Sequence, residues 1–380
     1  MIRDLLRAPG RARALQRERD RLQRELERAR AQGQRHEQRV AELTSTLERE
    51  RARLAAVGRS LDERRRAALS PDVLRLVLTA RAQEPALDAH TAAAAAAREE
   101  RFLAASSAYR RLLEDEAERQ QRLEQVHVDG IPWWMPLDPR LPERAERTVK
   151  QSFPYRVILQ TREVAVGGVM LDLGGNIGRT SVTRALLGDV RAVYAAEPEP
   201  ANYAALVQNV IAHGMRGIVL PDQVAVGAAR GEVTLHQSRF MGGHRVLFKD
   251  ISGTGHRVVQ VPCWPVDGWM EHVGCDPRAV TFVKVDVQGS EIDVLRGAAG
   301  LLARRQAAWQ LEVDPGLLAK AGRSVAELIA AIEPHFAHMI DIGSPQPGPR
   351  LQPVSALAAG LAYLGAAQSK TDLLLIPGRA

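Results

Sequence analysis

The chain has 380 residues, 45% of them hydrophobic, enough for two or three domains with ordinary cores. Its net charge is +7, and residues 1–66 hold 19 basic against 11 acidic side chains, which accounts for the whole excess. Those basic residues alternate with glutamate in a helical pattern, and aromatics are only 4%, so a solvated helix face is expected rather than a nucleic-acid surface.

Cys263 and Cys275 are the only cysteines and stand at no metal-ligand spacing; both are expected to be reduced, and no metal is expected. No apolar run reaches the roughly 18 residues of a membrane span. The N-terminus lacks the apolar stretch of a secretion signal, so a cytoplasmic location is expected.

Residues 11–66 carry a 3-4 spacing of apolar residues: Leu15, Leu22, Leu26, Ala29, Val40, Leu43, Leu47, Leu54, Val57 and Leu61. One register sustained over several heptads predicts a coiled coil, weakened in the middle by Gly33 and His36. Its expected role is self-association or docking onto a partner helix. Ser70-Pro71 reads as a helix start, and that helix breaks at Glu84-Pro85. A second helical stretch is expected through the alanine run to about Gln125. Asp129-Gly130-Ile131-Pro132 marks a composition change. The expected organisation is a coiled coil over 1–69, a helical linker over 70–130 and a further domain over 131–380. Trp133 and Trp134 are expected to pack the lead-in segment onto that domain.

The stretch from Gly168 to Glu199 reads as strand, glycine turn, helix, strand. Val169–Leu171 is short and apolar, as in a strand buried on both faces. Gly174, Gly175 and Gly178, around Asn176, let the backbone turn sharply and approach a ligand. Glu197 ends the next strand, about 20 residues after the last glycine, where an acid takes ribose hydroxyls in open α/β sheets. A dinucleotide site orders its glycines differently, and Asp172 would repel a pyrophosphate. The carboxylate suits a cationic ligand, and S-adenosylmethionine (SAM) is a sulfonium without phosphate.

Further on, a helix is expected over 202–212 and one strand over 217–226, near a sheet edge because of Pro221. Strands over 231–237 and 255–261 are expected to flank the RFMGGHRVLFKD loop, which carries His244. A fourth parallel strand (280–287) precedes a helix over 290–302, and a fifth strand covers 308–313. A helix over 325–332 and strands over 337–342 and 372–376 close the chain. Alternating strands and helices predict a doubly wound α/β sheet.

VMLDLGGNIGRTS, AAEPEPANYAALVQN and FVKVDVQGSEIDVLRGA resemble, in order, three blocks of the FkbM family of SAM-dependent methyltransferases. The resemblance spans about residues 165–378, with TDLLLIP as its closing strand. It implies a Rossmann-like, seven-stranded class I methyltransferase sheet and hydroxyl acceptors on sugars or polyketides. Two departures matter. Gln288 and Ser290 stand where the family shows Glu-Gly-Ala-Glu, so no acid role carries over to 288, and Gly175 replaces an alanine.

Lys284, Asp286 and Gln288 alternate onto one face of the fourth strand. Asp286 is the first candidate for the proton acceptor or its orienter. Lys284 would keep it ionised or contact substrate, and His244 is the second candidate base. Asp172, the glycine turn with Asn176, and Glu197 are expected to hold the cofactor. Asn202, Asp222 and Gln223 are expected at its rim. Gln288, Glu291 and Glu312 are expected to line the acceptor site. The other readings are a dinucleotide-dependent oxidoreductase and a coiled-coil scaffold with an inactive domain. Deleting residues 1–69 is expected to lower the number of chains per particle in light scattering, or to lose a partner, with SAM binding intact; an unchanged number of chains with no partner lost would contradict the coiled coil.

Overall fold

The computed structural model describes residues 89–128, 131–137, 155–237, 245–246, 257–343, 351–364 and 370–378. The coiled-coil expectation and His244 lie outside these residues. Among the described residues no helix is long and apolar enough to cross a membrane.

Three short helices open the described chain: α1 (Ala89–Ala105), α2 (Ser107–Glu114) and α3 (Glu116–Gln120). Ser106 and Asp115 cap α2 and α3, accepting hydrogen bonds from the N–H groups of Tyr109 and Glu118. The expected helix to Gln125 is therefore interrupted twice and stops early. Arg122 takes a left-handed φ of 67°, and the chain turns into a strand. This strand, β1 (Leu123–Val128), pairs antiparallel with β2 (Ile131–Pro136). The expected boundary near 130 falls between these paired strands. Trp133 is fully buried, 4.9 Å from the ring of His213. Asn209 holds the backbone of Trp134 at both its N–H and its C=O. The tryptophan pair thus packs the hairpin onto the helix that carries Asn209.

The central sheet is α/β and mixed. Helix α4 (Tyr155–Ala165) leads into β3 (Val169–Leu173), α5 (Arg179–Leu186), β4 (Ala192–Ala196), α6 (Pro200–Ala212) and β5 (Val219–Asp222). A second, four-stranded sheet takes β6 (Ala225–Gly227), β7 (Gly231–Gln237), β8 (Arg245–Val246) and β9 (Arg257–Pro265) in the order β6-β9-β7-β8. After α7 (Val266–His272) the chain returns to the central sheet as β10 (Val280–Val285), α8 (Glu291–Gly297), β11 (Ala308–Val313), β12 (His338–Asp341), β13 (Gln352–Pro353) and β14 (Thr371–Ile376). Its order is β13-β12-β14-β11-β10-β3-β4-β5. Eight strands are present where seven were expected, because the two-residue β13 adds to the edge of β12. β14 runs antiparallel to both of its neighbours, as expected of a closing pair.

The strand expected over 217–226 is two strands in two sheets. Its chain turns after Asp222, where the N–H of Val224 bonds the carbonyl of Asp222. β5 is an edge strand, which suits Pro221. The helix expected over 290–302 breaks at Ala298.

β3 and β10 lie side by side at the centre, and the chain leaves them in opposite directions across the sheet. Leu171, Leu173, Val283 and Val285 on these strands are buried, each worth about 1.5–3 kcal/mol against exposure. Behind them Arg184 is fully buried under Phe282 and paired with Asp189 at 3.1 Å, and Arg162 shares the same carboxylate at 2.7 Å. Asp189→Ala would leave the Arg184 guanidinium buried without its partner. We expect about 3–5 kcal/mol of lost stability by urea denaturation; a loss under 1 kcal/mol would show the pair to be dispensable.

Candidate active site

In an open α/β sheet, ligands bind outside the carboxyl ends of the strands where the strand order reverses. Here that point is the end of β3 and β10. The turn after β3 is tight: the N–H groups of Gly174 and Gly175 both bond the carbonyl of Ala196. Gly174 has φ +85°, and a Cβ on it would meet the carbonyl oxygen of Asp286 at 1.9 Å. Gly178, at φ +83°, packs against Leu206. No side chain fits at either place. At Gly175 a methyl would meet Leu206 and Ala195 at 3.3 and 3.4 Å, contacts that small shifts relieve.

Asp172 is placed behind the turn. It is fully buried, with one oxygen accepting from Ser181 at 2.5 Å and the other facing Lys284 at 3.2 Å. The expectation that it contacts the ligand meets this placement: its carboxylate has no exposed surface and anchors the turn from below. Lys284 also donates to the carbonyl of Gly174 at 3.1 Å and lies 3.7 Å from Asp286. Burial works against its charge, but Asp172 and Asp286 outweigh it and hold the ammonium above its ordinary pKa.

Glu197 sits beyond the end of β4, beside the turn. One oxygen accepts from the N–H of Asn176 at 2.7 Å and the other from the N–H of Glu199 at 2.9 Å. Burial pushes its carboxyl up to about 8 against these two bonds. Asn176 has φ 50°, and its side-chain oxygen accepts from Ile177. Asn202 is buried in the first turn of α6, where Glu199 accepts its N–H. Asp222 is buried at the end of β5, with Ser106 and Trp269 each donating to one of its oxygens. Gln223, next along, is half-buried.

Beyond β10 and β11 lies a cluster of carboxylates and amides. Gln288 has φ 58°, an uncommon conformation outside glycine, and Gly289 follows at φ 108°. That backbone aims the Gln288 amide at two carboxylates, 2.7 Å from Asp286 and 3.0 Å from Glu312. About a third of the Asp286 side chain is exposed, 35%. Lys370 donates to Glu312 at 2.7 Å, and Gln310 to Asp372 at 3.1 Å. Glu291 caps the turn, accepting from the N–H of Gly289, and burial pushes it up to about 7. Burial works to raise Asp286, but Lys284 and the Gln288 amide bring it below its ordinary value. Burial first, then the Asp286 charge, push Glu312 well above its own. Two neighbouring carboxyls with pKa values driven apart have the pattern of a pair that shares a proton.

Sequence reading placed Asp286, Lys284, Gln288, Glu291 and Glu312 at one rim, and the structure gathers them there. It did not find Lys370, Ser106 or Trp269. Lys370 has a local signal only in that it precedes the TDLLLIP strand; the other two reach the site through contacts distant in sequence.

Residues 172–341 match the family described as Methyltransferase FkbM domain. The match covers under half of the chain. Among solved structures, the FkbM methyltransferase of Methylobacillus flagellatus KT shares 16% identity, covering 55% of this chain and 43% of its own, at a TM-score of 0.34. A putative tRNA (m1A22) methyltransferase of Streptococcus pneumoniae shares 12%, covering 59% and 70%, at 0.32. TYW2 of M. jannaschii, solved in complex with AdoMet, shares 11%, covering 68% and 88%, at 0.31. Likenesses this distant carry none of the argument below. This chain spans under half the length of the M. flagellatus protein. No curated protein matches it.

A carboxyl whose pKa is raised on folding holds its proton more tightly in the native state. Between its unfolded value, about 4.3, and its folded value, stability therefore falls as pH rises. Glu312→Gln removes one such group. We expect its melting temperature to fall less steeply than wild type between about pH 5 and 8, with Glu197 and Glu291 supplying what slope remains; identical slopes would contradict the shared-proton pair.

Proposed function

We infer that the protein is a SAM-dependent O-methyltransferase acting on a hydroxyl. The observation that carries this is the Glu197 carboxylate, set at the end of β4 and bonded to the N–H of Asn176 in the glycine turn. A ribose has hydroxyls to donate to such a group. The donor set around the turn fits the rest of SAM: Asp286 and the carbonyl ends of the strands suit a sulfonium and an ammonium. Gly174, Gly175, Asn176 and Gly178 would shape the cradle, with Asn202, Asp222 and Gln223 toward its outer rim.

When bound, SAM supplies an electrophilic methyl carbon. The chain's residues do the remaining work. Lys284 holds Asp286 ionised, and the Gln288 amide fixes its orientation. Asp286, kept below its ordinary pKa, is better suited to orient the acceptor hydroxyl than to hold its proton at neutral pH. The proton then goes to a group of higher pKa, with His244 as the candidate. As the new C–O bond forms, the electron pair of the broken C–S bond stays on sulfur. Carboxylates and amides along one rim suit a polyhydroxylated acceptor, so we assign a sugar in glycan or natural-product assembly. The N-terminal arm would dock the enzyme to its own copies or to a partner, in the cytoplasm and without nucleic acid.

Calorimetry is expected to show SAM bound with micromolar-range affinity, NADH not bound, and at least a tenfold loss, about 1.4 kcal/mol, in Glu197→Ala. Wild-type affinity in that variant would remove the ribose assignment. Extracts incubated with labelled SAM should yield a small-molecule or glycan product; label in RNA would overturn the acceptor assignment.

A further inference from the structure

The first helical segment does not run straight. α1 and α2 are separated by one residue, Ser106, which is 2% exposed. Its hydroxyl donates to Oδ1 of Asp222 at 2.7 Å and accepts the N–H of Tyr109. Trp269 takes the other oxygen of Asp222 at 3.0 Å. The carbonyl of Asp222 accepts the N–H of Glu197 at 3.0 Å, and Glu197 accepts the N–H of Asn176 at 2.7 Å. Hydrogen bonds therefore lead from the helix break to the glycine turn, through residues that share a rim in the folded chain and nowhere in the sequence.

The same segment is locked onto the sheet edge. Phe102 is fully buried, edge-on to Tyr109 and tilted against Tyr194 of β4. Arg98 donates to the carbonyl of Gly217, and a Cβ on Gly217 would meet the carbonyl of Ala95 at 2.3 Å. Covering the exposed edge of β5 explains these apolar and backbone contacts. It does not explain a buried hydroxyl spent on a carboxylate at the strand's ligand-facing end, at the cost of an interrupted helix.

We propose that Ser106 is a positioning residue of the cofactor site, which makes the segment 89–120 a wall of that site rather than a linker to it. By fixing the Asp222 carboxylate, and through its carbonyl the backbone of Glu197, the helix break sets the nucleoside end of the pocket. This rests on the SAM reading above. It predicts that cofactor affinity responds to the helical segment even where the glycine turn is untouched.

The test compares Kd for SAM and S-adenosylhomocysteine with melting temperature in three proteins. Ser106→Ala is expected to raise both Kd values about fivefold or more, since a bond to a charged group is lost. Arg216→Gln loses the ion pair with Glu99 at 2.9 Å from outside this segment and without touching Asp222; it should leave Kd within about twofold. Hydrogen exchange on the wild type gives a second arm, expected to show slower exchange at residues 106–114 on adding S-adenosylhomocysteine. Wild-type Kd in a folded Ser106→Ala, or exchange in α2 indifferent to ligand, overturns the proposal. A wild type that binds neither compound overturns the cofactor reading itself.

Discussion

The structure depends on one buried cation. Lys284 leaves the middle of the sheet on β10 and reaches the neighbouring strand, the turn and the rim at once: Asp172 at 3.2 Å, the carbonyl of Gly174 at 3.1 Å and Asp286 at 3.7 Å. Taking such charges out of water costs several kcal/mol each, and only well-placed partners offset it. Ser181 completes the shell of Asp172. The glycine turn is thereby tied to the strand that leads to Asp286 and Gln288. Gly174 allows this because a side chain there would strike the Asp286 carbonyl. The turn and the rim beyond β10 thus share one rigid joint, which would serve the alignment of donor and acceptor atoms in the methyl transfer we propose.

On the far side of that joint the amide of Gln288 does what a third carboxylate would not. It donates to both Asp286 and Glu312, and so relieves the repulsion between them. Its left-handed backbone is strain of the kind that concentrates at functional sites. Lys370 faces Glu312 from the start of β14 and balances part of the acidic charge. The rim thus sets a carboxyl whose charge is favoured beside one whose charge is disfavoured.

The core of the site was legible because its signals are local. Three glycines between two apolar runs, and an acid at the end of the second, fix β3, the turn, α5 and β4. Alternation along β10 put Lys284, Asp286 and Gln288 on one face. What was not legible came from tertiary contacts. Leu123–Val128 reads as the end of a helix, yet pairs with β2 after Arg122 reverses the chain. The run 217–226 is apolar apart from Asp222 and Gln223, and its two halves join different sheets. Asp172 looked like a ligand contact by position, and its depth depends on Lys284 coming from 112 residues away. Ser106 carries no signal of its own; in sequence it is the first of two serines between alanines.

The central claim is that the β3 turn and Glu197 hold the nucleoside of SAM. A crystal structure of the full chain grown with S-adenosylhomocysteine tests it most directly. The account predicts the ribose hydroxyls on the Glu197 carboxylate and the homocysteine sulfur facing the Asp286 rim. A ligand seated elsewhere, or a ribose with no contact to Glu197, would contradict it.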